Sequence, residues 1–260
     1  MSGEILVSRD GVVATVTLHN PAKLNAVNAQ MWRQLKAELE SLSADDDLRC
    51  IVVRGAGRHF AAGGDIHEFA TLRDTLERAR VYHDRWVAGA LEAVSQCRHP
   101  VVAMIRGNCI GGGLEIASAC DLRICEESAR FGVPINRLGF AIAHGELRGL
   151  LRIANPSVAL ELLLEGRIML ADEAYAKGLV NRVVTEDALE QEVAATVQRI
   201  TAGAPLVARL HKHLVRRLAT QAPPLSEEEI RANFAYLDSE DYRIGYAAFL
   251  ARTKPEFVGR

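Results

Sequence analysis

The run Gly111-Gly112-Gly113-Leu114-Glu115 sets three glycines directly before a glutamate. Glycine accepts positive φ and lets another atom approach its backbone, so such a turn at a strand end presents unhindered N–H groups to a ligand. A helix starting there adds the positive end of its dipole. Two N–H groups from separate loops would hold a developing enolate oxygen, each donor contributing about 2.7–4 kcal/mol of barrier lowering. The second loop in this reading is Phe60-Ala61-Ala62-Gly63-Gly64-Asp65. Glu115 falls in the first helical turn beside that site, where a carboxyl removes or delivers a proton. The bland alternative is a tight strand-to-helix turn, with Glu115 only complementing the helix dipole. A dinucleotide site fits less well. Counting G-x-G-x-x-G from Gly111 puts its third glycine at Ile116, and no G-x-x-x-x-G-K-[ST] loop occurs. Leu114 and Ile116 would raise the Glu115 pKa by desolvation while the helix terminus lowers it, a balance the sequence leaves open.

These loops need a scaffold, and the chain alternates strand and helix signals as an α/β core does. Val12 to Leu18 reads as a strand ending at Asn20-Pro21. Asn28 then caps a helix whose apolar stripe is Met31, Leu35, Leu39 and Leu42, and Cys50 to Val53 forms the next strand. A glycine-rich loop, 55–64, precedes a long helical stretch carrying Val81, Val87, Leu91 and Val94. Val101 to Ile105 is apolar throughout, as a strand covered on both faces is. It feeds the loop 106–112, a helix over 113–120 and a strand at Leu122 to Cys125. Beyond Gly145 the pattern is mostly helical, with Leu160, Leu163 and Leu164, then Ala171 to Lys177, and a last strand-like piece from Leu179 to Val184. The final third reads as helix punctuated by Pro205 and Pro223-Pro224.

With 260 residues, 49% hydrophobic and 25% charged, the composition is that of a globular chain of one large domain with or without an appendage. A formal charge of -2 gives no global attraction for phosphate polymers, so nucleic acid is a weak expectation. The basic positions His211, Lys212, His213, Arg216 and Arg217 read as the solvated face of a packed helix rather than an RNA contact. Cys50, Cys97, Cys109, Cys120 and Cys125 lack metal or redox spacing and are expected to be reduced and buried. His19, His59, His83 and His99 show no metal spacing either. The start of the chain lacks a signal-peptide pattern and no stretch has the apolar length of a membrane span, so a cytoplasmic protein is expected.

Four segments then fall into one pattern: Asn20 to Ala26, Phe60 to Ile66, Gly107 to Glu115 with Cys120-Asp121, and Ala174 to Val180. In that order they resemble the signatures of the crotonase, or enoyl-CoA hydratase/isomerase, superfamily. The likeness extends to Asp241 to Gly245 and Ala248-Phe249. It implies a spiral of ββα units over 1–200 with a C-terminal helical trimerisation region over 201–260, assembled as a homotrimer or dimer of trimers. It implies an acyl-CoA substrate and no separate cofactor or metal. The thioester oxygen would lie on the backbone N–H groups of Gly64 and Gly112, Glu115 would be the catalytic glutamate, and Ala26, Ala62, Asp65 and Ile66 would line the coenzyme A path. His67 stands where many members carry lysine.

The chain also departs from the pattern. Many hydratases of this family carry a second glutamate in a Gln-Pro-Glu stretch, and the matching segment, Phe131 to Ile135, has Ile135 in its place. Hydration needs water activated at the β carbon and a proton supplied at the α carbon, work ordinarily divided between two carboxylates. A neighbouring loop, Ile142-Ala143-His144-Gly145-Glu146, offers two titratable groups. His144, with an ordinary imidazole pKa of about 6.5, or Glu146 would help if the loop folds inward. Otherwise Glu146 occupies the first turn of a helix to Ile153 and His144 faces solvent. The expected function is therefore an enoyl-CoA hydratase-like lyase. Its rivals are another crotonase-type reaction, decarboxylation ahead of isomerisation, and an acyl-CoA-binding protein without activity.

Overall fold

A computed structural model of the chain describes residues 3–139, 141–219, 226–228 and 238–260. Pro223 and Pro224 lie outside them. The chain opens with an antiparallel hairpin, β1 (Glu4–Asp10) and β2 (Val13–His19), followed by α1 (Ala29–Ala44) and β3 (Cys50–Gly55). Asn28 caps α1 as expected, its side chain accepting the Met31 N–H at 2.8 Å, and Met31, Trp32, Leu35 and Leu39 turn inward. Two short helices, α2 (Phe69–Leu72) and α3 (Leu76–Arg80), lead through a π-helical segment, Val81–Val87, into α4 (Ala88–Gln96). The helical stretch expected here is thus interrupted, and π turns of this kind often mark functional sites.

Next come β4 (Val101–Ile105), β5 (Asn108–Ile110) and α5 (Gly112–Ala119), then β6 (Leu122–Glu126), β7 (Arg130–Gly132), α6 (His144–Ile153) and α7 (Pro156–Glu165). The remainder is β8 (Met169–Leu170), α8 (Ala171–Ala176), β9 (Arg182–Val184), α9 (Leu189–Thr201), α10 (Pro205–Leu218) and a terminal helix, Glu240–Ala251. The large sheet has the order β1-β2-β3-β4-β6-β9 and is parallel after the first pair. A second sheet, β5-β7-β8, escaped the sequence reading, because its strands are two or three residues long and exist only by tertiary pairing.

The apolar run of β4 is divided between two faces, as a central parallel strand requires. Val101, Ala103 and Ile105 join the main core with α1, α4 and α5, whereas Val102 and Met104 meet Leu189, Val193 and Val197 of α9. The chain passes from large sheet to small sheet twice, through β4-β5 and β6-β7, and α5 follows the first passage directly.

One sequence expectation fails at α10. Lys212 and Arg216 are not a solvated face: both pair with Asp121, at 2.8 and 2.6 Å, and donate to the backbone carbonyls of His99 and Ala119. They fasten α10 to the core. All five cysteines are free and buried, as expected, and burial pushes the thiols of Cys50, Cys120 and Cys125 up to about 12. Among the described residues, no helix is long and apolar enough to cross a membrane.

Candidate active site

The Asn20 to Ala26 segment acts as a clamp. Leu24 and Asn25 both adopt positive φ, which turns the Asn25 side chain inward to accept the Asn20 N–H and to donate to the carbonyls of Ala56 and His59 at 2.8 and 2.7 Å. Leu24 in turn accepts the Ala62 N–H at 3.0 Å. The next loop is thereby held on one side, and Ala61 is bracketed on the other by Asn108 and Ile110 of β5. A bridge between Val27 and Gly64 uses the Gly63 carbonyl and the Asp65 N–H, leaving the Gly64 N–H without a backbone acceptor among the described residues.

Gly111 has φ 49° and ψ -119°, a conformation that turns β5 sharply into α5, and its N–H is fixed to the Gly132 carbonyl of β7 at 2.8 Å. A Cβ on Gly112 would lie 3.0 Å from the Trp32 ring and 3.4 Å from the Gly64 nitrogen, and one on Gly113 would lie 2.6 Å from the Ala61 carbonyl oxygen. Glycine at these two positions is what lets the helix start press against the neighbouring loop. The Gly64 and Gly112 nitrogens therefore meet at the same edge of a cavity. Among the described residues, neither N–H donates to a backbone carbonyl.

Glu115 lines that cavity one helical turn on, although every residue of α5 is buried. Its carboxyl is pushed well above the usual carboxylate range, first by desolvation and then by the charge of Glu146. Burial outweighs the helix terminus, which answers the balance left open by the sequence. Glu146 enters from a second wall, the first turn of α6, a helix that packs against α5 where a Cβ on Gly149 would meet the Ser118 hydroxyl. Its Oε2 accepts the Ala143 N–H at 3.1 Å and its Oε1 meets Nδ1 of His83, a residue 63 positions away. The loop before α6 does fold inward, and Glu146 both caps the helix and faces the cavity.

His144 is corrected: it is the exposed first residue of α6 and does not line the cavity, because the turn that sends Glu146 inward sends its neighbour two residues earlier outward. Ile135 does line it, beside Pro134 and Leu138, so the family's usual second carboxylate position is apolar here. Ala62 and Ile66 line the mouth; Ala26, Asp65 and His67 stand outside the lining. Asp65 is buried and accepts from Lys23 Nζ at 2.6 Å, while His67 is exposed beside it.

Trp32, Tyr82 and His83 are among the lining residues that the sequence reading overlooked. Tyr82 lies edge-on to Phe69 at 5.7 Å and to His83 at 5.2 Å. Its hydroxyl would be 3.4 Å from a Cβ at Gly64, and burial pushes its phenol upward, so it remains a donor. A signal for His83 was available: it sits four residues before Val87, on the stripe of Val87, Leu91 and Val94. A polar residue on that inward face invites a partner.

Such an arrangement can hold an anion on two N–H groups beside the Glu115 carboxyl, with the Glu146–His83 pair lining the same cavity. Residues 8–260 match the family model described as "Enoyl-CoA hydratase/isomerase". A probable enoyl-CoA hydratase of Mycobacterium tuberculosis is 36% identical over 259 residues, covering 98% of each chain. The 2,3-dehydroadipyl-CoA hydratase of Escherichia coli is 32% identical over 266 residues, covering 99% of each. Among solved structures, an enoyl-CoA hydratase/carnithine racemase from Magnetospirillum magneticum shares 49% identity at a TM-score of 0.95, over 98% of this chain and 96% of that one. The fold is the crotonase-type α/β fold those relatives share.

Proposed function

The chain belongs to the enoyl-CoA hydratase/isomerase family, and from that premise we propose that it hydrates the conjugated double bond of an enoyl-CoA thioester. The observation that carries this reading is that one cavity is lined by two acidic groups, Glu115 of α5 and Glu146 of α6, and by the backbone of Gly64 and Gly112, whose N–H groups donate to no backbone carbonyl among the described residues. Addition of water to the β carbon sends electrons to the thioester oxygen, and two fixed donors placed there stabilise the enolate more than the ground-state carbonyl. Glu115, whose carboxyl burial and then the Glu146 charge push well above the usual carboxylate range, supplies the α proton. The second wall, Glu146 with His83, activates the water.

Ile135 favoured a reaction needing a single proton-transfer group when the sequence was read alone. Glu146 removes that argument, since the second carboxylate arrives from another element. Coenzyme A would approach past Ala62 and Ile66, with Ala26, Asp65 and His67 along its outer path. Purified protein is expected to consume crotonyl-CoA and leave a malonyl-CoA analogue intact, and Glu115→Ala is expected to abolish the consumption. Decarboxylation of the malonyl thioester, or tight acyl-CoA binding without turnover over a broad panel, would overturn the hydratase reading in favour of its two rivals.

A further inference from the structure

Glu146 has both oxygens committed, Oε1 to His83 and Oε2 to the Ala143 N–H. His83 is in the reverse situation. Its Nδ1 is held by Glu146, the side chain borders the cavity, and among the described residues Nε2 makes no hydrogen bond. A carboxylate on Nδ1 selects the tautomer with the proton there and leaves a lone pair on Nε2, the arrangement that prepares an imidazole to act as a base. The π-helical turn that carries His83 places it next to Tyr82, so both side chains reach the same cavity from consecutive positions.

From this geometry we propose that His83 is the catalytic base of the second wall and Glu146 its positioning residue. The inference deepens the hydratase reading and rests on it. In the forward reaction, Nε2 of His83 takes a proton from water as the water oxygen bonds to the β carbon. The π electrons of the double bond move through the α carbon to the thioester oxygen, which becomes the enolate held by Gly64 and Gly112. The enolate collapses as the α carbon takes the proton of Glu115. The imidazolium then loses its proton and Glu115 regains one by exchange with solvent, which restores both groups and leaves the elements of water in the product. The charged and titratable groups bordering the cavity with His83 are Glu115 from α5, Glu146 from α6, Tyr82 from its own segment and Arg73 just beyond α2.

The test is steady-state hydration of crotonyl-CoA by wild type, His83→Ala, His83→Gln, Glu146→Gln and Glu115→Gln across pH, with acyl-CoA affinity measured for each. His83→Ala is expected to lose about 10²–10⁴-fold in kcat with KM little changed, and to regain rate when free imidazole is added. Loss of the acid limb of the kcat profile is expected in His83→Gln. Glu146→Gln is expected to lower kcat less than His83→Ala does, with KM little changed and no gain from added imidazole. A His83→Gln variant with the wild-type rate, or one that keeps an unchanged acid limb, overturns the assignment. So does His83→Ala that binds substrate yet gains nothing from imidazole. If Glu115→Gln is dead while the His83 variants are fully active, the hydratase reading stands and the base assignment falls. A wild type that hydrates no enoyl-CoA defeats both.

Discussion

Glu115 stands on a helix whose eight residues are all buried and whose cap, Gly111, is tied by its N–H to the Gly132 carbonyl of β7. Glu146 stands in the first turn of a helix that begins with an exposed residue, and its aim depends on one N–H and one imidazole from a distant segment. The first wall is made of backbone, so its precision comes from the sheet. The second is made of side chains, so its geometry depends on the contacts those side chains make with one another. A family that varies its chemistry has room to do so on the second wall, and here the usual position, Ile135, is apolar while α6 supplies the carboxylate.

Breaking the first wall should have the largest effects. Glu115→Gln is expected to lower kcat by about 10²–10⁴-fold with acyl-CoA affinity retained, measured by hydration rate and by titration with a saturated acyl-CoA. Gly112→Ala places a methyl 3.0 Å from Trp32 and 3.4 Å from the Gly64 nitrogen. It should cost about 10²–10³-fold in kcat by displacing one donor, with the melting temperature showing whether the fold also suffers. On the second wall, Ile135→Glu is expected to restore about tenfold or more of the rate lost in His83→Gln, within the usual range for one positioned proton-transfer group. Added to the unaltered site, the same change should gain nothing. A rise there would mean that Glu146 does not occupy the second role.

The smallest effect is on stability. The carboxyl of Glu115 titrates above its unfolded value of about 4.3, so between those two pH values the native state holds a proton that the unfolded chain has released. Stability contributed by this group is whole below the unfolded pKa and declines as pH rises toward the folded one. Glu115→Gln removes that slope, and its melting temperature should gain on the wild type as pH is raised above the unfolded value of about 4.3. The decline amounts to about 1.4 kcal/mol for each pH unit crossed between the two pKa values. A difference that stays constant with pH would contradict the buried, protonated carboxyl.

How much of this the sequence disclosed follows the same division. The β5-to-α5 turn, the cap at Asn28 and the two-faced strand β4 were legible because each is encoded by neighbouring residues: glycines before a helix, an asparagine before a stripe, an unbroken apolar run. The small sheet was not, since strands as short as Met169–Leu170 have no periodicity to read. His144 and Glu146 looked equivalent in sequence, and only the start of α6 separates them, one outward and one inward. His83 lay 63 residues from its partner on a stripe interrupted by a π turn, so no local spacing joined the two.

The central claim is that two walls, each carrying one acidic unit, act together on one thioester. Single-turnover hydration of crotonyl-CoA by wild type, Glu115→Gln and Glu146→Gln, each at saturating enzyme, tests it most directly. The account predicts rapid hydration by the wild type and, in both variants, retained binding with turnover slowed at least about tenfold, the larger loss falling on Glu115→Gln. Wild-type speed in either variant would contradict it.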